Sequence, residues 1–286
     1  MDAHMKRMKK PKALSRRKRS PESSVAVVAG FPGVIAGFPE FWQKAYDHCP
    51  RFFEAAYDLV PLLNKFLQQS VKGPLPFVEY FLTAIVANSF GALITLALNG
   101  YGHDAVRVAR GMYEAAVNAA YLKLHPTEVD DYIDFHWVRQ KKLHDYFLQY
   151  SPSDLSRIPA ERIAEMNAEL AKVAHRFQDS RGRFRNSWCK KDLRARAEEA
   201  GFGQLYPTFY AQASGIHHGD IGGLIAQSAK DALQVELAPS FAGMEDALIM
   251  GHNAVLHVLD SLNEVAELKM DKELGEARDG FMKAWK

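Results

Sequence analysis

Phe81 to Leu98, FLTAIVANSFGALITLAL, decides how the rest of the chain is read. These 18 residues reach the lower edge of the length a bilayer span requires. Asn88 and Ser89 sit at the centre of the stretch and Glu79 just before its start, and polar groups in the middle of a hydrocarbon span are costly. No second stretch of this kind occurs in the sequence. A helix apolar on every side is also the mark of a helix enclosed by others. The stretch therefore predicts an all-α protein, a single multi-helix bundle around a buried central hydrophobic helix, with no stable membrane span.

The flanking sequence keeps a helical period. Pro39-Glu40 opens a segment in which Phe41, Trp42, Ala45, Tyr46, Cys49, Phe52, Phe53, Ala56, Leu59 and Leu63 recur at steps of three and four, and Pro50 and Pro61 are expected to kink or divide it. Lys72-Gly73-Pro74-Leu75-Pro76 reads as a turn, and Asn99-Gly100-Tyr101-Gly102 as a stop. A helix is expected from His103-Asp104 to before His125-Pro126, and another from Pro126-Thr127-Glu128 to about Tyr150. A polar surface helix should run from Ala160 to about Asp179, and Tyr206-Pro207 should open one that passes Ser214 and reaches His218. Ala232 to Leu237 is the only plausible strand, and residues 241–270 read as the last long helix. With no internal repeat and no hydrophilic linker, residues 25–286 are expected to form one all-α domain.

The chain of 286 residues is 48% hydrophobic and 24% charged, which is ordinary globular usage. Two cysteines, Cys49 and Cys189, can build neither a disulfide framework nor a four-thiolate zinc site, and they suit a reducing compartment. The net charge of +2 hides an asymmetry: residues 1–20 hold nine Lys or Arg against Asp2, which leaves the remainder at −6. Residues 1–24 are expected to be a disordered basic tail. Such a tail adds salt-sensitive affinity for phosphates, or serves only as a start-site extension or solubilising segment. The apolar run Val25 to Phe38 after it imitates a signal peptide, but Pro32, Gly30, Gly33 and Gly37 interrupt it and no clear cleavage site follows. A cytoplasmic protein is expected.

Two clusters carry candidate chemistry. On the helix that follows Asp104, Arg110 and Glu114 are four apart, with Arg107 one turn earlier on the same side. A carboxylate so placed can orient a guanidinium whose remaining donors serve a phosphate or carboxylate, although the same spacing is common in structural ion pairs. The second cluster runs from Tyr210 to Asp220, with Ser214 and His218 again four apart and Asp220 beyond them. A hydroxyl beside an imidazole suits acid/base work, while Gly219-Asp220 can equally end one helix and cap the next. Ser214 lacks a Gly-x-Ser-x-Gly surround, and the chain has no His-Glu-x-x-His motif; the available His and Asp residues have unspecific spacing, so no metal and no cofactor are expected. Lys172 to Arg196 holds nine Lys or Arg interleaved with Phe177, Phe184 and Trp188, a composition that fits either a nucleic-acid grip or a solvated loop anchored by its aromatics.

Asn99-Gly100, Asp104-Ala105, Arg110-x3-Glu114, Tyr132-x2-Phe135, Trp188, Leu193-x3-Ala197-x3-Gly201 and Tyr206-x3-Tyr210-x3-Ser214-x3-His218-Gly219 together resemble a bacterial family of all-helical proteins of unknown function over about residues 75–225. That family is similar to the helical HEPN-type proteins of toxin and phage-defence systems. HEPN ribonucleases carry Arg-x4-6-His, and no Arg stands at that distance before His218. The resemblance implies that Arg110, Glu114, Ser214 and His218 converge from two helices. The site expected on this basis has His218 as acid/base, Arg110 as phosphate clamp, Glu114 orienting it and Ser214 donating to the ligand. Arg107, His136, Arg139, Asp220 and Tyr210 would line the cleft. RNA or a nucleotide is the expected ligand and a homodimer a possible assembly; the competing reading is a non-catalytic interaction module whose Arg, Glu, Ser and His residues form a structural polar network.

Overall fold

Pro50 starts a helix instead of kinking one. At the first helical position its missing N–H costs nothing, so α1 (Pro39–His48) ends and α2 (Pro50–Leu67) begins there. Pro61, inside α2, faces solvent, where water can reach the carbonyl it leaves unpaired, and the helix runs through it. The structure, a computed structural model, describes residues 38–220 and 239–285. The expected basic tail and the expected strand at Ala232–Leu237 lie outside the described residues.

The described chain is all-α. After α2 come α3 (Pro74–Leu98), α4 (Gly102–Leu124), α5 (Val129–Tyr150), the short α6 (Pro152–Leu155) and α7 (Ala160–Phe177). Then follow α8 (Leu193–Glu199), a π-helical turn (Tyr206–Tyr210) continuing into α9 (Ala211–His218), α10 (Met244–Val265) and α11 (Asp271–Trp285). The expected last helix over 241–270 is thus shorter, and α11 follows it, packed on α2 and α10 through Leu274 and Phe281.

The core is a triangle of α3, α4 and α10, each packed on the other two. α4 contributes most of its surface, with Ala105, Ala109, Met112, Ala116 and Ala119 all essentially inaccessible. The small side chains bring its neighbours close. At its first residue, Gly102, a Cβ would stand 2.0 Å from the Ala242 carbonyl oxygen, so only glycine fits where this turn meets the approach to α10. Trp42 Nε1 donates to Asn99 Oδ1 at 2.8 Å and pins α1 to the end of α3. His252 on α10 stacks on Phe281 of α11 and donates from Nδ1 to the Leu248 carbonyl at 2.6 Å; burial pushes its imidazole down to about 4, so it is a neutral core residue.

The central helix departs from the expectation of burial on all sides. Val78, Leu82, Val86, Phe90, Leu93 and Ala97 face the core, but Phe77, Phe81 and Ile85, spaced by four, form an exposed stripe. α3 is thus central in its packing and apolar on two faces, only one of which the helices cover.

Glu79 lies on the covered face with no accessible surface, and neither carboxyl oxygen has a hydrogen-bond partner among the described residues. Burial raises its pKa to about 9, and the opposing pull of Lys123 is smaller; Lys123 is itself engaged by Glu264 at 2.8 Å. The folded protein therefore holds a proton here that the unfolded chain releases above the ordinary carboxylate range. The contribution of Glu79 is complete below that range and is lost as pH rises towards about 9, at about 1.4 kcal/mol per pH unit. Melting curves from pH 6 to 8.5 should show Glu79→Gln gaining on the wild type as pH rises. A difference independent of pH would mean that the carboxyl is not held protonated.

Candidate anion-binding cleft

α3 and α10 pack against α4, and along its middle the polar side chains Arg107, Arg110, Glu114 and Asn118 are spaced three, four and four, so that they share one face. The π-helical turn and α9 run beside this row. Tyr210, the last residue of the turn, reaches into it: Arg110 Nη2 donates to the Tyr210 hydroxyl at 2.8 Å, and the hydroxyl donates to Glu114 Oε1 at 2.9 Å. Arg110 Nη2 also stands 3.0 Å from Glu114 Oε1, and the guanidinium carbon lies 5.0 Å from the Tyr210 ring centre. Tyr206 stacks on Tyr210 at 4.9 Å and Tyr113 packs against it at 5.3 Å, which fixes the ring. Burial first, then the Glu114 charge, pushes the Tyr210 phenol up to about 12, so it keeps its proton for Glu114. Arg110 Nε is buried with no hydrogen-bond partner among the described residues.

Arg110, Glu114 and Asn118 of this row form one side of a cavity of about 680 Å³. Phe77 and Phe81 of the α3 stripe make an apolar wall, Tyr132, His136 and Arg139 come from α5, and Trp188 and Arg196 close the far side. Arg196 is placed by the start of α8, where the Asp192 side chain accepts from the Ala195 amide at 2.8 Å and caps the helix. Only 6% of Arg196 is exposed. Its Nη1 donates to Asn118 Oδ1, its Nε to the Asp192 carbonyl at 3.4 Å, and its guanidinium lies 5.0 Å from the Trp188 ring centre. It makes no ion pair among the described residues, and neither does Arg139, which lies over Phe135 at 5.8 Å. Burial raises the Tyr132 phenol, and Arg139 and Arg196 pull it back. Among the described residues, three guanidinium groups thus line the cleft against one carboxylate, Glu114.

The structure separates the residues expected in one site. Arg110, Glu114, Tyr210, His136 and Arg139 line the cleft. Arg107 turns away, held by Asp104 and by the Ile216 carbonyl, 3.3 Å from both Nε and Nη2. Half-buried Ser214, exposed His218 and exposed Asp220 are not among the lining residues, and no hydrogen bond joins Ser214 to His218 among the described residues. The structure brings Arg110 and Glu114 together with Tyr210, and Ser214 and His218 lie apart from them. The cause is direction: α9 runs antiparallel to α4, so Tyr210 meets Arg110 and Ile216 meets Arg107. His218 lies about 12 Å farther along the helix axis than Tyr210 at 1.5 Å per residue. Gly219, at φ 65°, ends the helix in the left-handed conformation, and the Asp220 amide closes back on the Gly215 carbonyl at 3.1 Å.

Sequence reasoning passed over Asn118 and Arg196. Asn118 continues the Arg110-Glu114 spacing by one more step of four, and Arg196 stands three residues after Leu193 on the face that α8 buries, so both signals were present. The basic stretch that contains Arg196 is mostly neutralised locally. Arg176 pairs with Asp131 and Asp134, Arg183 with Asp179, Lys191 with Glu199 and Arg194 with Glu198. Trp188 and Phe177 from the same stretch are buried. No group of three His, Cys, Asp or Glu suited to a metal ion occurs among the described residues.

No curated protein and no solved structure matches the chain. A family of unknown function, DUF5677, matches residues 78–231, more than half of the chain and a range that holds every lining residue of the cleft except Phe77. The chain belongs to this family of unknown function.

Proposed function

We propose that the chain binds a phosphate-bearing ligand of nucleotide size in the cleft between α3, α4, α5 and α8. One observation carries this reading: Arg196 is buried in the cleft wall, hydrogen-bonded only to the neutral Asn118 amide and Asp192 carbonyl, with no ion pair among the described residues. A guanidinium stays charged at any physiological pH, and burying it without an opposite charge costs several kcal/mol. An anion in the cleft would supply that charge through short, charge-assisted hydrogen bonds. Arg110, whose Nη2 is committed to Tyr210 and Glu114, would present its remaining donors to the same anion. Phe77 and Phe81 offer faces for a planar ring, and the volume is typical of a small-molecule site. The local pairing of the 172–196 arginines and lysines argues for a compact nucleotide over a long RNA backbone. A ribonuclease role for His218 finds no support in its position outside the cleft.

The hydrogen-bonded Arg110, Tyr210 and Glu114 group favours the second reading, a structural polar network within an interaction module. Substitutions separate the two. Arg196→Met keeps volume and removes a buried charge, so its melting temperature should match or exceed that of the wild type. Its affinity for adenosine 5′-monophosphate, measured by titration calorimetry, should fall about 10- to 100-fold, the worth of a charge-assisted hydrogen bond. Wild-type protein that binds no nucleotide, together with a strongly destabilised Arg196→Met, would leave the structural reading standing. In thermal melts, Tyr210→Phe should cost about 1 kcal/mol for the buried hydroxyl. His218→Ala, on the exposed end of α9, should stay within about 0.5 kcal/mol of the wild type.

A further inference from the structure

A second cavity of about 300 Å³ opens beyond His136, between α5 and the turn leading from α6 into α7, and His136 lines both cavities. From His136 the α5 wall continues through Gln140, His144 and Phe147, spaced by four, four and three on one helix face. Ile158, Ile163 and Met166 face it from the α6–α7 turn and α7. The two cavities differ in their electrostatics. The arginines beside the second, Arg157 and Arg162, are each paired locally, with Asp154 at 3.5 Å and Glu165 at 2.9 Å. The first cavity holds Arg139 and Arg196 without ion pairs among the described residues. The first cavity is built for negative charge and the second for uncharged, largely apolar matter, and His136 stands where the two adjoin.

We propose that both cavities hold a single ligand, a phosphate monoester whose anionic end rests on Arg196 and Arg110 and whose uncharged apolar portion passes His136 into the space between α5 and α7. This rests on the anion-binding reading above and adds to it the chemistry of the rest of the ligand. A polynucleotide fits the two cavities poorly, because it would carry further phosphates into a cavity whose arginines already have carboxylate partners. The α5 wall from His136 to Phe147 is about 16 Å long at 1.5 Å per residue, long enough for an extended chain or a second ring system.

Alkyl phosphates of increasing length test this directly. Titration of the full chain with ethyl, butyl, hexyl and octyl phosphate should show affinity rising about fourfold per added methylene once the chain passes His136, as expected for burial of each CH2 group. Ile163→Trp, which fills the second cavity, should leave ethyl phosphate affinity unchanged and abolish the gain from hexyl and octyl chains. Arg196→Met should weaken every member of the series by the same factor. Ethyl and octyl phosphate binding equally well, with both lost in Arg196→Met, would overturn the two-cavity proposal while sustaining the anion site. A chain-length gain that survives Ile163→Trp would also overturn it, since the alkyl chain would then lie elsewhere. Failure of every alkyl phosphate to bind would remove the anion site and this proposal together.

Discussion

The seating of α4 between α3 and α10 is the constraint on which the rest of the molecule depends. Alanines at 105, 109, 116 and 119 let both neighbours approach closely, and Gly102 lets the α4 start abut the Ala242 carbonyl. Once two faces of a helix are filled in this way, polar side chains along its middle project from the remaining one. Arg110, Glu114 and Asn118 therefore share a direction because of how the core packs. The π-helical turn and α8 then bring Tyr210 and Arg196 to the same face. The cleft inherits its rigidity from the most buried interface of the fold, as a preorganised binding site requires.

Burial acts differently on the two ionisable groups it isolates. Glu79 meets the loss of solvent by holding a proton, which converts a charge into a neutral carboxylic acid at the cost of pH-dependent stability. Burial also lowers the pKa of Arg196, but a guanidinium begins so far above neutrality that it cannot shed its charge in this way. Its neighbours soften the cost without cancelling it: Asn118 and the Asp192 carbonyl accept hydrogen bonds, and Trp188 offers its ring face. Arg110 has a carboxylate and Arg196 has none, so the two are not interchangeable. The first is held in place by the protein, and the second retains a demand for negative charge that a ligand can meet.

The helices were legible wherever punctuation was local. Pro50, Asn99-Gly100 and His125-Pro126 mark boundaries that hold to within a residue or two, because capping and proline geometry depend on few neighbours. The α11 helix was not foreseen, since its buried contacts come down to Leu274 and Phe281 in an otherwise polar segment. Within the site, the spacing of Arg110 and Glu114 showed that they share a face, and the structure joins them. The same spacing for Ser214 and His218 was equally sound as a statement about one helix, but it carried no information on how far along α4 that helix would lie. Arg196 was hidden for the complementary reason. Composition shows a basic stretch, while only long-range packing decides which of its charges find local partners and which is buried without one.

The stretch from Phe81 to Leu98 explains why composition alone is ambiguous between a membrane span and a core helix. α3 is apolar on two faces because it serves two surfaces. Val78, Leu82, Val86 and Phe90 fill the core, while Phe77 and Phe81 form a wall of the cleft. An apolar wall beside the guanidinium groups offers no polar group to compete with an anion, and a ligand seated against it would displace water and strengthen the interactions of Arg110, Arg139 and Arg196. The exposed stripe is thus part of the cleft's electrostatics as well as its shape. A polar side chain at Phe81 would admit water beside the arginines and weaken the hold on an anion even if every charged residue stayed in place.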